Sequence, residues 1–267
     1  MTWTSGMRAW GRFCTGCAEG KMVEHARVAS TKAEAFEPGE AIVADLMFVD
    51  LNHEKIPLMC CVDEGSKCIV TVELKDKKVE TMERAFESVL DQFSIAGHHP
   101  KRLIFDRETA IVAMESWIAT HSIRLNLKAA AQKVGLAEVT IRQIREVARA
   151  TKAGVRAEFG YIPPDAFNID LCKYAAIVLN RGVRLGYTVS PYELFTGMKL
   201  DVMRDLRVAW GEVVVVKKPK GISSDLRVTG QWAVVVFSYF NRSGVIKVYL
   251  VESGKYAHRF VLGYLSG

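Results

Sequence analysis

Three acidic residues stand at positions where a carboxylate needs an explanation. Asp45 lies in the middle of the apolar, strand-like run Ala41–Val49, and Asp106 ends the short apolar run Arg102–Asp106. Because charges are rarely buried without a partner, Asp45 either faces solvent, caps a bulge or holds a cation. Asp106 either caps the helix that follows or belongs to a site at the carboxyl end of its strand. Glu138 falls in the first turn of a predicted long helix, where the helix dipole favours an acid in any case.

A pair of thiols near the N-terminus forms the second set of candidates. Cys14-Thr-Gly-Cys17 has the spacing of half a zinc site, and His25 offers a third ligand. A closed tetrahedral site needs four ligands, so zinc binding and two plain thiols both stay open. We expect residues 1–30 not to hold zinc tightly by themselves. The N-terminus lacks the apolar core of a signal peptide, which indicates a reducing compartment and thiols rather than disulfides.

Hydrophobic periodicity predicts the elements that would position these residues. Three strands with short connections come first, and helices and strands then alternate, which predicts an α/β layer fold with a mixed sheet. In chain order the predicted elements are strands at Ala41–Val49, Ile56–Val62 and Lys67–Leu74, a helix at Val79–Phe93, a strand at Arg102–Asp106, a helix at Glu108–Thr120, a strand at Ser122–Leu127 and a long helix that begins at Gly135 and meets no helix breaker before Gly154.

The last part of the chain has a different pattern. A core helix is predicted at Asp165–Asn180, Asp201–Arg207 reads as a connector, and from Glu212 the pattern is all-β. The predicted strands are Val213–Lys217, Gln231–Tyr239, Val245–Val251 and Tyr256–Leu262. Turn residues separate them, which predicts a small barrel or a curled sheet.

Composition limits the class of protein. The 267 residues are 49% hydrophobic and 25% charged, which is ordinary globular material for one large domain and a smaller one. No apolar run reaches the length of a membrane span. The net charge of +6 points mildly to an anionic partner. Basic residues follow Glu138 along the long helix at Arg142, Arg145, Arg149 and Lys152. In the last part of the chain, two readings stay open, phosphate contact or a solvated basic rim, for Lys217, Lys218, Lys220, Arg227, Arg242 and Lys247.

Several short motifs occur in a fixed order along the chain. They are Cys14-Thr-Gly-Cys17 with Gly20-Lys21, Ala44-Asp45, Val62-Asp63 with Ser66-Lys67, Phe105-Asp106, Gly135-Leu-Ala-Glu138, Arg142 with Ala148-Arg149, Ser190-Pro191-Tyr192-Glu193-Leu194-Phe195-Thr196-Gly197-Met198-Lys199, and Leu206-Arg207-Val208 with Trp210-Gly211. In this order they resemble the integrase of a copia-type long-terminal-repeat retrotransposon. The Pro-Tyr-Glu element is the most specific match, and each acidic motif alone is weak.

The resemblance implies a fold and a domain order. The expected fold is α/β, with a ribonuclease-H-like mixed five-stranded sheet flanked by helices and followed by a small all-β lobe. Residues 1–38 would be an N-terminal arm that is a remnant of a zinc-binding module, 39–200 the catalytic core and 201–267 a β-rich C-terminal domain.

The resemblance also implies a reaction. Asp45, Asp106 and Glu138 would be both the catalytic residues and the ligands of Mg²⁺ or Mn²⁺, with Asp45 bridging two ions that support an in-line phosphoryl displacement. The function would be 3′-end processing and strand transfer of retroelement DNA into target DNA, by a homo-oligomer in the nucleus after a cytoplasmic particle stage. Cys14 and Cys17 resemble the end of the family's zinc-binding module, so Zn²⁺ is a candidate ligand there. The residues expected to contact DNA are Lys128, Lys133, Arg142, Arg145, Lys218, Lys220 and Arg242.

The chain also departs from the family pattern. Arg107-Glu108 stand where the family commonly has Asn-Gly after its second aspartate, and Asp106 and Glu138 are a few residues closer than usual. Glu108 is the first substitute if Asp106 is not the second acid, and Asp63 and Glu64 rank lower. These departures favour an alternative function, a catalytically inactive, integrase-derived module that binds nucleic acid or another partner.

Overall fold

The computed structural model describes residues 36–51, 53–106, 109–128, 135–184, 186–199, 208–217, 230–238, 246–259 and 261–264. Residue contacts divide them into two compact units. The first unit holds the described residues up to Glu146 together with Ala175–Lys199, and the second holds Val147–Tyr174 and the described residues after 207. The boundaries after Glu146 and after Tyr174 fall inside helices.

A mixed five-stranded sheet forms the centre of the first unit. Its strands are β1 (Ala41–Leu51), β2 (Glu54–Asp63), β3 (Ile69–Glu73), β4 (Arg102–Asp106) and β5 (Arg124–Lys128). Their order is β3-β2-β1-β4-β5. The first three strands pair antiparallel, and β4 pairs parallel with both β1 and β5. The predicted mixed five-stranded sheet is therefore confirmed.

Helices flank this sheet and continue beyond it. They are α1 (Val79–Ile95), α2 (Thr109–Ala113), α3 (Glu115–Thr120), α4 (Gly135–Phe159), α5 (Asn168–Arg181) and α6 (Pro191–Thr196). One face of the sheet forms the main core with α1 to α3, where Ile42, Ala44 and Phe105 lie among Met82 and Phe86. On the other face Val43 and Ile104 pack against Leu136 and Ala137 at the start of α4.

The structure differs from the predicted elements at three local points. The helix predicted at Glu108–Thr120 is broken at Met114, which is fully buried and has φ −86° and ψ −1°. The strand predicted from Lys67 begins at Ile69, because Lys67 has a left-handed φ of 64° and closes a turn onto Asp63. The long helix continues through Gly154 and ends at Phe159, before Gly160.

The Pro-Tyr-Glu element forms α6. The Ser190 hydroxyl accepts a hydrogen bond from the Glu193 amide at 3.1 Å, Pro191 starts the helix, and Gly197 ends it in the left-handed conformation. These are favoured residues for an N-cap, a first turn and a C-cap. Phe195 is buried against Phe93, with ring centroids 4.8 Å apart. The element is thus a short helix that packs on the core.

The C-terminal end of α5 holds the edge of the central sheet. The Asn180 Oδ1 atom accepts from the Ile69 amide and its Nδ2 atom donates to the Ile69 carbonyl, both at 2.7 Å. Ile69 begins β3, an edge strand whose outer backbone groups would otherwise lack a ladder partner. Buried Asn180 therefore satisfies this edge with its amide, as a neighbouring strand would.

The second unit contains a five-stranded antiparallel sheet. Its strands are β6 (Val213–Lys217), β7 (Gly230–Ser238), β8 (Ile246–Leu250), β9 (Lys255–Arg259) and β10 (Val261–Tyr264), in the order β10-β6-β7-β8-β9. The predicted all-β lobe is confirmed. The single strand predicted at Tyr256–Leu262 is two strands, because the chain changes partner from β8 to β6. Among the described helices of both units, none has the length and hydrophobicity needed to cross a membrane.

The Trp-Gly pair joins this sheet to the end of α4. Trp210 is buried, and Gly211 has φ +83°. The Tyr161 hydroxyl donates to the Gly211 carbonyl, and a Cβ atom at Gly211 would lie 2.5 Å from Cγ2 of Val155. Burial raises the pKa of Tyr161 to about 12, which keeps this hydroxyl protonated as a donor. Only glycine fits both the backbone angle and the contact.

We expect Gly211→Ala to lower the free energy of unfolding by about 2–5 kcal/mol, because it adds overpacking to a left-handed backbone. Gly254→Ala is the matched control: its φ is +65°, but an added Cβ would meet no atom closer than 3.4 Å. It should cost only about 1–2 kcal/mol. Urea unfolding of both variants measures the difference. Equal losses would show that the contact with Val155 contributes nothing.

Candidate active site

Asp45 lies within β1, paired across the sheet with Cys60 of β2. The residue is partly buried, and its Oδ1 atom accepts the amide of Leu46 at 2.7 Å. Its alternating position places it on the face that carries Val43, opposite to the face of Ala44 and Leu46 in the main core. The carboxylate therefore belongs to the sheet face that α4 covers.

Asp106 ends β4 at the same level as Asp45. The parallel register pairs Val43 with Ile104, and each aspartate follows its paired residue by two positions. Residues two apart on a strand lie on one face, so both aspartates extend the Val43–Ile104 row. The Oδ1 atom of Asp106 is buried and has no hydrogen-bond partner among the described residues. A buried carboxylate oxygen without a donor is costly, and a hard cation would satisfy it.

Glu138 stands on the helix that covers this face. Leu136 and Ala137 of the first turn pack against Val43 and Ile104, and Glu138 is the next residue, with its side chain exposed. Within the described part of the chain, no three His, Cys, Asp or Glu side chains are grouped closely enough to hold a metal ion. The three predicted carboxylates therefore share one side of the sheet but do not form a ready ligand set. Carboxylates repel one another until a cation neutralises them.

Cys60 is the neighbour of Asp45 that the sequence did not single out. Burial raises the pKa of its thiol to about 12, and the negative charge of Asp45 adds to this shift. The thiol is therefore neutral at physiological pH. Its signal in the sequence was weak, because a cysteine in an apolar strand is usually a small core residue.

A second residue missed by the sequence analysis is Thr140. It lies one turn after Ala137 on α4, is 1% exposed, and its hydroxyl has no hydrogen-bond partner among the described residues. A buried hydroxyl that neither donates nor accepts is uncommon in proteins.

The lower-ranked acids have different roles. Asp63 is fully buried, and its carboxylate accepts from the Gly39 amide at 2.8 Å and from the Ser66 amide at 2.7 Å. The Ser66 hydroxyl donates to the same carboxylate. Asp63 therefore orders the β2–β3 turn. The Glu64 amide bonds to the Ala41 carbonyl in the same region, and Glu108 lies outside the described residues.

The structure describes only some of the residues that were predicted to contact DNA. Arg142 and Arg145 are exposed on α4, and Lys128 is paired in register with Asp106 on β5. The other residues predicted to contact DNA lie outside the described residues: Lys133, Lys218, Lys220 and Arg242. The candidate zinc ligands Cys14 and Cys17 lie outside them as well.

Lys247, which was expected to be available to phosphate, already binds a carboxylate. Its Nζ atom donates to both carboxylate oxygens of Asp170, at 2.7 and 2.9 Å, and lies 4.8 Å from the ring centroid of Tyr256. Asp170 is buried, so this pair anchors the start of α5 to β8. On α4, Lys152 similarly donates to Asp165 at 2.8 Å.

We expect Cys60, Cys61 and Cys68 to resist alkylation in the folded chain, because the thiolate is the reacting form and burial raises all three pKa values. Iodoacetamide labelling at pH 8 followed by peptide mass spectrometry measures this. The same chain in guanidinium should react fully, and raising the pH towards 9 should accelerate only the unfolded sample. Rapid labelling of Cys60 in the folded chain would contradict its protected position beside Asp45.

The chain is similar to known proteins in structure but not in sequence. No protein-family model and no curated protein sequence matches the chain. Among solved structures, a chain of the simian T-cell lymphotropic virus intasome, in complex with PP2A regulatory subunit B56 gamma, superimposes with a TM-score of 0.52 and 13% identity. The match covers 91% of this chain and 84% of that one.

Integrase catalytic cores are also among the similar structures. The HTLV-2 integrase catalytic core domain in complex with magnesium aligns with a TM-score of 0.47 and 15% identity, over 61% of this chain and 99% of that one. The core domain of BIV integrase gives 0.43 and 14%, over 59% and 93%. At such low sequence identities the similarity concerns the fold alone. The evidence for the fold is the intasome match, which covers more of this chain. The chain has an integrase-like fold.

Proposed function

We propose that the chain is a polynucleotidyl transferase that performs DNA integration, and that it derives from a copia-type long-terminal-repeat retrotransposon. It would carry out metal-dependent 3′-end processing and strand transfer of retroelement DNA into target DNA. The observation that carries the proposal is the parallel pairing of β1 with β4, in which Val43 and Ile104 are partners and each stands two residues before an aspartate. The order of the sequence motifs and the integrase-like fold support it.

Carboxylate oxygens are the ligand type that a hard divalent cation prefers, which supports assigning the cation to these residues. Asp45 and Asp106 would supply carboxylate oxygens from the rigid sheet, and Glu138 would complete the set from the first turn of α4. When bound, Mg²⁺ or Mn²⁺ would supply activation of the attacking hydroxyl and neutralise charge at the leaving oxygen. The attacking group would be water in 3′-end processing and the DNA 3′-hydroxyl in strand transfer. Cys60, a neutral thiol beside Asp45, adds no charge to this set.

The DNA would lie across the start of α4. Arg142 and Arg145 are exposed one and two turns after Glu138, and Lys128 occupies the strand position next to Asp106. These cations, with Lys133, would offset the repulsion between phosphates and the carboxylates. Lys218, Lys220 and Arg242 would extend the contact in the C-terminal lobe.

The proposal also covers the domain order, the oligomeric state and the cellular location of the chain. An arm at 1–38 that carries half of a zinc site at Cys14 and Cys17, a core at 39–200 and a C-terminal domain at 201–267 are proposed from the motif order. The HTLV-2 core domain was solved in trimeric and dimeric forms, and a homo-oligomer acting in the nucleus is proposed for this chain as well.

We expect Asp45→Asn and Asp106→Asn each to abolish Mg²⁺-dependent joining of a retroelement-end oligonucleotide to plasmid DNA. Losing a carboxylate at this level removes a metal ligand and should lower the rate by at least about 100-fold. Asp91→Asn, an exposed carboxylate on α1, is the matched control and should keep full activity.

Thermal unfolding with added Mn²⁺ provides a second measurement that needs no turnover. The parent chain should be stabilised and both asparagine variants should not. Joining that survives Asp45→Asn would contradict the proposal. DNA binding in the parent without any joining would favour the alternative, an inactive integrase-derived nucleic-acid-binding module.

A separate prediction concerns the basic residues of α4. Arg142→Ala with Arg145→Ala should weaken duplex binding at all sequences and flatten the slope of log affinity against log salt by roughly one unit per lost phosphate contact. Fluorescence anisotropy at several salt concentrations measures the slope. Arg84→Ala, an exposed arginine on α1, should leave it unchanged. An unchanged slope in the double variant would mean that these arginines only form solvated contacts on the helix surface.

A further inference from the structure

The outer face of the C-terminal sheet presents a partly exposed aromatic ring. Ala233 and Val235 of β7 point into the core of this sheet, so Trp232, which alternates with them, points outward. Its side chain is 45% exposed. An indole offers a large flat apolar surface, on which another flat ring can stack.

The neighbours of Trp232 leave its ring accessible. Val215 of β6 lies opposite it in register, and the Val251 amide donates to the Trp232 carbonyl at 3.2 Å. Val251 is itself 55% exposed. Gly230, two residues earlier on the same strand, has no side chain with which to cover the indole. Trp232, Val215 and Val251 therefore form a small apolar patch, called here the Trp232 patch, with an open ring in its centre.

The positive charge around the Trp232 patch favours an anionic ligand. Lys217 is exposed at the end of β6, two residues beyond Val215 on the same outward face, and is paired in register with Gly230. Residues 208–267 contain eight Lys and Arg but three Asp and Glu, which accounts for five of the six net positive charges of the chain. A flat apolar ring beside a cation is the arrangement that binds an unpaired nucleobase and its phosphate.

Among the described side chains of this sheet, the other exposed aromatic residue lacks these properties. Tyr256 packs edge to face with Tyr249 and Phe167, and the nearest cation, Lys247, is neutralised by Asp170. Its hydroxyl also donates to the Ala166 carbonyl. Tyr256 is thus a structural contact, and the Trp232 patch is the better candidate for binding.

We propose that Trp232 stacks on an unpaired base of single-stranded DNA while Lys217 contacts the adjacent phosphate. This deepens the proposed function and rests on it, since an enzyme that processes DNA ends must hold unpaired nucleotides there. A continuous duplex buries its base faces in its own stack, so the Trp232 patch should distinguish single strands and frayed ends from blunt duplex.

The test is equilibrium binding of a fluorescent single-stranded 20-mer and of its blunt duplex, with EDTA present so that no catalysis is involved. Trp232→Ala and Trp232→Leu should each weaken single-strand binding by about 5- to 150-fold, with little effect on the duplex. Trp232→Tyr should bind nearly as the parent does, because it keeps a ring. Lys217→Ala should instead flatten the salt slope by about one unit.

The matched control is Tyr187→Ala, which removes a 47% exposed aromatic side chain from the first unit and should change nothing. Thermal unfolding of each variant separates lost binding from lost folding. Trp232→Leu that binds like the parent, or equal losses in Trp232→Leu and Tyr187→Ala, would overturn the proposal. So would a Trp232→Leu variant that changes molecular mass in solution with binding intact, since the patch would then join two copies of the chain.

The two proposals fail separately. If Asp45→Asn abolishes joining but Trp232→Leu leaves single-strand binding unchanged, integration stands and stacking is wrong. If stacking is found but no joining occurs, the integration proposal is wrong and a nucleic-acid-binding module is supported.

Discussion

The parallel pairing of β1 with β4 is the constraint on which the candidate site depends. It places Asp45 and Asp106 at one level because each follows a paired residue by two positions. A shift of one residue would exchange Asp106 for Phe105, which is fully buried in the core on the opposite face. The register that buries Phe105 in the core is therefore also the register that turns Asp106 towards α4. The hydrophobic core thus stabilises the alignment on which the proposed chemistry depends.

The motifs that resemble an integrase divide into residues for chemistry and residues for architecture. Asp63 orders the turn after β2, the Pro-Tyr-Glu element forms a capped helix that packs Phe195 into the core, and Gly211 allows close contact with Val155. None of these is near a reacting group by its contacts. A sequence signature can thus be most specific where it records folding requirements, because packing and capping restrict residue type more narrowly than a solvated carboxylate does.

Elements with strong local patterns could be predicted from the sequence, and details set by distant contacts could not. The five strands of the central sheet and α1 follow from periodicity alone. The break at Met114, the change of partner between β9 and β10, and the ion pair of Lys247 with Asp170 depend on residues far away in the sequence. The level of Asp45 and Asp106 was likewise not readable, since two aspartates 61 positions apart carry no local sign of a shared register.

The third carboxylate is governed by a different constraint from the first two. Asp45 and Asp106 are fixed by sheet hydrogen bonds, whereas Glu138 depends on how closely α4 approaches the sheet. Ala137 of α4 is fully buried against Val43, and its small side chain permits a short distance between the helix and the sheet. Each larger residue at 137 would move the helix outward and carry Glu138 with it. The size of one apolar residue, rather than any charge, therefore sets how near Glu138 can come to the two aspartates.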